Sequence, residues 1–387
     1  MTEIENPPDD FAVHGRDLLT GIPKEIKADE NRVAMTPAGV EIMKQNRHTV
    51  LIEKQAGKPS GFEDVDYEHA GAEIVASSKD IFNRSEMILR VKEPQPSEFD
   101  DLKEGQIYFS FLHLAASEKL AHKLIETGSI NIAYETIQKD DGSLPLLKPM
   151  SQVAGPMAIQ EGAKYLEMAQ GGHGVLLGGV PGVDPATVVI LGGGAVGGNA
   201  AKMASGLGAN VYVLDIDLER LRYLSDVMPA NCFIVNSSPA AIRDLITKAD
   251  LVVGAALVPG ARTPILVTRD MLKTMKKGTV LVDVAIDQGG CFETSKETTH
   301  HQPTYIIDTI VHYAVSNMPG ALPRTSSLAL TNASLPYVLE MADKGWKKAL
   351  QENSEIKRGA NVVQGKVTFK GVADALNLKY TPVDELI

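Results

Sequence analysis

The sequence predicts an α/β fold of two doubly wound domains, the first discontinuous, joined by long helices with a cleft between them. Three observations carry that expectation. The chain has 387 residues, more than one hydrophobic core usually organises. Short apolar runs alternate with longer amphipathic segments along most of its length, as strands alternate with crossover helices. The run Thr187-Val-Val-Ile-Leu leads directly into Gly192, Gly194 and Gly197, a strand, a turn and the start of a helix.

Composition bounds the function. Hydrophobic residues make up 44% and charged residues 22%, as in ordinary globular chains. A net charge of −11 argues against nucleic acid as a partner, although it leaves room for a local basic pocket. Two cysteines, Cys232 and Cys291, are too few for a disulfide framework and suit a reducing compartment. His300 and His301 have no neighbour at metal-ligand spacing, so no metal is expected. The first residues lack a basic stretch followed by an apolar core, and no apolar run of about 20 residues occurs, so a cytoplasmic protein with no membrane partner is expected.

The elements follow in order. After a leader ending near Asp17, apolar runs at 19–22, 49–53, 87–92, 107–113 and 130–135 predict strands. Helical intervals at 36–46 and 117–127 separate them, and Thr36-Pro37 supplies an N-cap with proline at the first helical position. Turn residues at 142–149 mark a boundary. A helix at 157–170 then leads to a glycine-rich stretch, 171–182, which suits a loop, a hairpin or a subunit contact. Strands are expected at 187–191, 210–215, 232–235, 251–254, 279–284 and 305–307, and one long helix over 326–351. That helix can carry the chain back to the first domain. The expected division is therefore 1–146 with 323–387 as the substrate domain and 147–322 as a Rossmann-like nucleotide domain.

In the glycine turn, Gly192 permits the sharp bend, Gly194 lets the backbone approach a pyrophosphate, and Gly197 lets the helix pack on the strand. Asp215 closes the next apolar run, where an acidic residue accepts hydrogen bonds from a ribose. Its carboxylate would repel a 2′-phosphate, so NAD is expected rather than NADP, with Arg220 and Arg222 nearby as the counter-argument.

Ligands of open α/β sheets collect beyond the carboxyl ends of strands. Lys92, His113 and Asp287 each end an apolar run, and Arg32 lies in the loop after the first. Each has an ordinary alternative: a solvated strand end for Lys92, a hydrogen-bonded histidine for His113, a loop cap for Asp287, an ion pair with Glu25 or Glu30 for Arg32. Together, facing one cleft, two cations beside a histidine and a carboxylate suit a small carboxylate substrate undergoing hydride transfer.

From about Leu19 to Asn377 the chain resembles the alanine dehydrogenases, within the wider family that includes the nucleotide-binding part of pyridine nucleotide transhydrogenase. The resemblance rests on Gly21-Ile-Pro-Lys-Glu, Asn31-Arg-Val-Ala-Met-Thr-Pro-Ala-Gly-Val40, Val91-Lys-Glu-Pro94, Phe111-Leu-His-Leu-Ala-Ala116, Gly178-Gly-Val-Pro-Gly182 and Ala285-Ile-Asp-Gln-Gly-Gly-Cys291. It implies reversible NAD-dependent oxidative deamination of L-alanine to pyruvate and ammonium, with Arg32 and Lys92 on the substrate carboxylate and His113 and Asp287 as acid–base groups. It also implies cofactor contacts from Ser151, Ala195, Val196, Asp215, Arg220, Ser237, Ala256, Leu257, Val284, Ala285, Ile286, Asp287, Lys296, Val315, Ser316, Asn317 and Met318, and a homohexamer. Arg220 stands where the family usually has lysine, and Lys296 where arginine is common. Pro156 departs from the family's basic residue, and its missing N–H moves the expected helix start toward Gly155. Two alternatives remain open at this point: a transhydrogenase-type nucleotide module, and a non-catalytic NAD-binding protein.

Overall fold

The structure, a computed structural model, describes residues 17–256 and 263–387. They form two compact units, one containing the described residues up to Leu147 together with Ser327–Ile387, the other Lys148–Ser326.

In the first unit the strands β1 (Leu19–Ile22), β2 (Thr49–Glu53), β3 (Glu73–Val75), β4 (Met87–Leu89), β5 (Ile107–Ser110) and β6 (Ile130–Ala133) are all parallel. Their spatial order is β3-β2-β1-β4-β5-β6, reversing direction between β1 and β4. Strands β4, β5 and β6 are buried throughout, which is why they read as unbroken apolar runs. Three runs prove shorter as strands than the sequence suggested. Residues 90–92, 111–113 and 134–135 leave the sheet, and these departures form the loops at its carboxyl edge.

The second unit holds β7 (Thr187–Leu191), β8 (Asn210–Asp215), β9 (Cys232–Asn236), β10 (Leu251–Gly254), β11 (Val280–Asp283), β12 (Thr304–Ile307) and β13 (Ile310–Tyr313). The order is β12-β13-β11-β10-β7-β8-β9, so six parallel strands again follow the doubly wound pattern, with the switch between β7 and β10. The run at 305–307 is not the sixth parallel strand. It forms β12, an antiparallel edge, and Asp308 and Thr309 (φ 49° and 71°) turn the chain into β13, which fills the sixth place.

The first unit is completed from the far end of the chain. There β14 (Ala360–Val363) adds antiparallel to β6, and β15 (Lys366–Val367) pairs with β14. The long helix is Pro323–Lys344, and a break at Gly345 separates it from Trp346–Glu352. Within the first unit its Ser327 hydroxyl accepts from Val33 N (3.0 Å), and its Thr331 hydroxyl from Thr36 N (3.0 Å). The returning segment thereby fixes the loop that carries Arg32.

The helix that opens the second unit also corrects an expectation. It spans Lys148–Tyr165, with Pro156 inside it rather than at its start. Proline costs that helix one hydrogen bond. Tight packing on the helix Ala195–Gly206 offsets the loss: Gly155 lies so close to the Val196 carbonyl that a Cβ there would strike it.

Candidate nucleotide and carboxylate sites

The glycine turn follows β7 in the second unit. Gly192 has φ 106°, a conformation that favours glycine, and its N–H donates to the Leu214 carbonyl (2.8 Å). A Cβ on Gly197 would run into the Gly192 carbonyl oxygen, so the helix can start this close to the turn only with glycine there. Gly194 is the N-cap of the helix Ala195–Gly206, and a Cβ built on it meets nothing within 4 Å. The turn therefore presents a helix N-terminus beside open space, which fits an anionic pyrophosphate. Asp215, at the end of β8, accepts from Gly193 N (2.6 Å) through one oxygen and from Asp217 N (2.9 Å) through the other. Arg220 donates to the carbonyls of Gly193 (2.5 Å) and Gly194 (3.2 Å), which makes it a brace for the turn. Arg222 is paired with Glu219.

The other candidate cofactor residues fall mostly at the carboxyl ends of the same parallel strands. Ser237 follows β9, Ala256 follows β10, Val284, Ala285, Ile286 and Asp287 follow β11, and Val315, Ser316, Asn317 and Met318 follow β13. Ser151 lies in the first turn of the helix Lys148–Tyr165, and Lys296 is exposed in the segment between β11 and β12. Leu257 lies outside the described residues. Asp287 is exposed, and its carboxylate accepts from Asn317 N (3.3 Å), which links the ends of β11 and β13.

In the first unit Arg32 follows β1, Lys92 follows β4 and His113 follows β5, all at the carboxyl edge, with β1 and β4 flanking the switch point and β5 next to β4. Arg32 is buried, and the Glu30 carboxylate takes its Nε (2.7 Å), Nη2 (2.5 Å) and backbone N–H (3.0 Å). Burial works against the charge on Glu30, but Arg32 outweighs it and holds the carboxyl down at about 2. Lys92 is also buried. Burial lowers its pKa below the ordinary lysine range, and the positive charges of Arg32 and Lys27 push the same way. Behind it, Arg90 is enclosed by Glu25 (3.1 Å) and Glu98, and Glu25 also accepts from Val91 N (2.6 Å), fixing the strand end from which Lys92 projects.

His113 is exposed, its ring stacked on Phe111 (centroids 6.1 Å apart, 7° between planes). Its backbone is left-handed, φ 49°, which is uncommon outside glycine. The Glu135 carboxylate, just beyond β6, accepts from His113 N (2.6 Å) and Leu112 N (3.2 Å).

Of the three supporting carboxylates, Glu30 is the ion-pair partner the sequence offered for Arg32, while Glu135 and Asp283 were not singled out from the sequence. Asp283, at the end of β11, receives the Ser295 hydroxyl and the N–H groups of Ala285 (3.2 Å), Cys291 (2.9 Å) and Phe292 (3.4 Å), so it ties down the loop bearing Asp287. Burial raises its pKa to about 6 despite those donors. A polar residue closing an apolar run was the available signal, and it marks Glu135 as well as it marks His113. Among the described residues no group of His, Cys, Asp or Glu is placed to hold a metal.

A doubly wound sheet with a glycine turn at its switch point and an acidic residue ending the adjacent strand defines the dinucleotide-binding class. Comparison with known proteins narrows this. Residues 21–154 match the family described as "Alanine dehydrogenase/PNT, N-terminal domain", and residues 158–370 match its C-terminal domain. An alanine dehydrogenase of Halomonas elongata is 53% identical over 370 residues, 96% of this chain and 100% of that protein. A solved structure titled L-alanine dehydrogenase superposes with a TM-score of 0.91 at 49% identity, covering 93% of this chain and 99% of the other. The transhydrogenase of Sinorhizobium meliloti superposes with a TM-score of 0.79 at 24% identity, over 91% and 99% of the two chains, and shares the fold. The chain belongs to the alanine dehydrogenase/PNT family, whose cofactor is a nicotinamide nucleotide. No described helix is long and apolar enough to cross a membrane.

Proposed function

We propose that the chain is an NAD-dependent L-alanine dehydrogenase, interconverting L-alanine, NAD⁺ and water with pyruvate, ammonium, NADH and a proton. One observation carries this beyond the relatives' names: two buried cations, Arg32 and Lys92, share with His113 the carboxyl edge of a doubly wound sheet. A small carboxylate is the ligand such a pair suits. With Glu30 balancing Arg32, protonated Lys92 leaves Glu30, Arg32 and Lys92 together with about one net positive charge toward a monoanion.

Arg32 and Lys92 would hold the substrate carboxylate and so orient Cα. The bound nucleotide supplies the hydride acceptor in deamination and the donor in the reverse direction. His113 would move a proton to and from the substrate oxygen as water adds to the imine carbon or leaves it, for which an exposed imidazole is suited. Asp287 would orient that water or stabilise the positive nitrogen. For the cofactor, Gly192, Gly194, Ala195, Val196 and Gly197 would cradle the pyrophosphate and Asp215 the adenosine ribose. Among the described residues the Asp215 carboxylate accepts from the backbone N–H groups of Gly193 and Asp217, and its charge supports NAD over NADP. The remaining contacts would come from Ser151, Arg220, Ser237, Ala256, Leu257, Val284 to Asp287, Lys296, and Val315 to Met318. We further infer a cytoplasmic homohexamer. Exposed apolar side chains around the glycine-rich segment, Met168, Leu176, Val180 and Val183, support self-association, which light scattering tests.

The function is tested by initial rates of NADH oxidation. Pyruvate with ammonium should be turned over at least ~10-fold more efficiently than glyoxylate, larger 2-oxo acids or a nucleotide acceptor, and NADH should outperform NADPH. Oxidation that needs only a nucleotide acceptor would instead identify a transhydrogenase module.

A further inference from the structure

We propose that Glu135 is the positioning residue of His113: its carboxylate locks the histidine backbone in the left-handed conformation from which the imidazole is presented. This rests on the role of His113 given above.

The geometry is specific. Glu135 sits in the short turn Tyr134–Thr136 after β6, the neighbour of β5 in the sheet, with Ala133 in register with Ser110. One carboxylate oxygen accepts from both His113 N (2.6 Å) and Leu112 N (3.2 Å), and the other also reaches Leu112 N (3.2 Å). A left-handed backbone is uncommon outside glycine, although histidine tolerates it better than most residues, and two N–H groups aimed at one carboxylate stabilise it here. The clamp itself is held firmly. Thr136 Oγ1 has the carbonyls of Ala133 and Gly359 (3.3 Å each) as acceptors for its single proton, and Asn361 Nδ2 donates to that hydroxyl (2.6 Å). The turn also orients the ring. Tyr134 is buried with its ring edge-on to Phe111 (5.1 Å, 86°), and Phe111 in turn stacks on His113. Backbone and ring of His113 are thus both fixed from the Tyr134–Glu135 pair, although neither residue bonds the imidazole nitrogens.

A residue acting through His113 should lose its effect when His113 is gone. The experiment is a double-mutant cycle on kcat and on pyruvate KM, using Glu135→Ala, Glu135→Gln, His113→Ala and the combinations, with thermal unfolding of each protein. Glu135→Ala should lower kcat by about 10²-fold, as for a reacting group displaced by about an ångström, with pyruvate KM changed less than ~3-fold. Glu135→Gln, which keeps one acceptor oxygen, should fall between. In the His113→Ala background neither substitution should lower kcat further. Equal losses in both backgrounds, or wild-type kcat in Glu135→Ala, would overturn the positioning role. If Glu135→Ala does not fold, the Glu135→Gln arm decides by the same criterion. Wild-type turnover in His113→Ala would instead sink the catalytic role of His113, an outcome distinct from failure of the clamp.

Discussion

At the scale of single residues, buried charge is the main theme. Glu30, Arg32 and Lys92 lie together in a place where each alone would be strongly disfavoured, and Glu30 makes the burial of Arg32 tolerable. Around Lys92 the balance differs: burial and the positive charges of Arg32 and Lys27 outweigh the negative charges of Glu30 and Glu93. Burial, reinforced by Arg32, lowers the Lys92 pKa, so in the free enzyme its proton leaves at a lower pH than from an exposed lysine. A bound carboxylate favours the charged form and pulls the pKa back up. Pyruvate KM should therefore begin to rise on the alkaline side below the ordinary lysine pKa of about 10.4. In Lys92→Arg, which stays protonated, that alkaline rise should vanish even if KM is worse overall. Steady-state pH profiles check this, and an unchanged alkaline limb in Lys92→Arg would remove Lys92 from the carboxylate site. Lys92→Ala should raise pyruvate KM by ~10²-fold or more.

At the scale of elements, the parallel strands were legible because both faces are covered, so β4, β5 and β6 read as continuous apolar runs. Edge strands lack that signature. Strand β3 is half exposed, β15 has two residues, and β12 passed for the parallel strand that β13 supplies. The Lys148–Tyr165 helix was misplaced for another reason. Local propensity makes Pro156 a helix start, but packing against Ala195–Gly206 overrides it. Polar ends of apolar runs marked Lys92, His113 and Asp287, and the loop after the first strand marked Arg32 with Glu30 as a candidate ion-pair partner, while Glu135 and Asp283 look in sequence like ordinary acids. The glycine turn was the most legible element, and Gly197 tests it. Gly197→Ala should weaken NADH binding by at least ~10-fold and lower the melting temperature by several degrees, because the added carbon must displace Gly192. Fluorescence titration and calorimetry read both effects, and unchanged affinity would separate this turn from nucleotide binding.

At the scale of the whole molecule, the chain uses the doubly wound order twice, in sheets of eight and seven strands. One switch point lies between the strands that precede Arg32 and Lys92, the other beside the glycine turn. The first unit is closed only by the returning segment Ser327–Ile387, whose Ser327 and Thr331 hold the Arg32 loop. Truncation of that segment would therefore remove support from the proposed carboxylate site as well as from the sheet. We propose that these two sites serve a single reaction on alanine. The most direct test is to supply the protein with pyruvate, NADH and ¹⁵N-labelled ammonium and to measure labelled L-alanine against NADH consumed. The expected result is one L-alanine carrying the label per NADH oxidised. NADH consumed without labelled alanine, whether as reduced pyruvate or as hydride passed to another nucleotide, would contradict it.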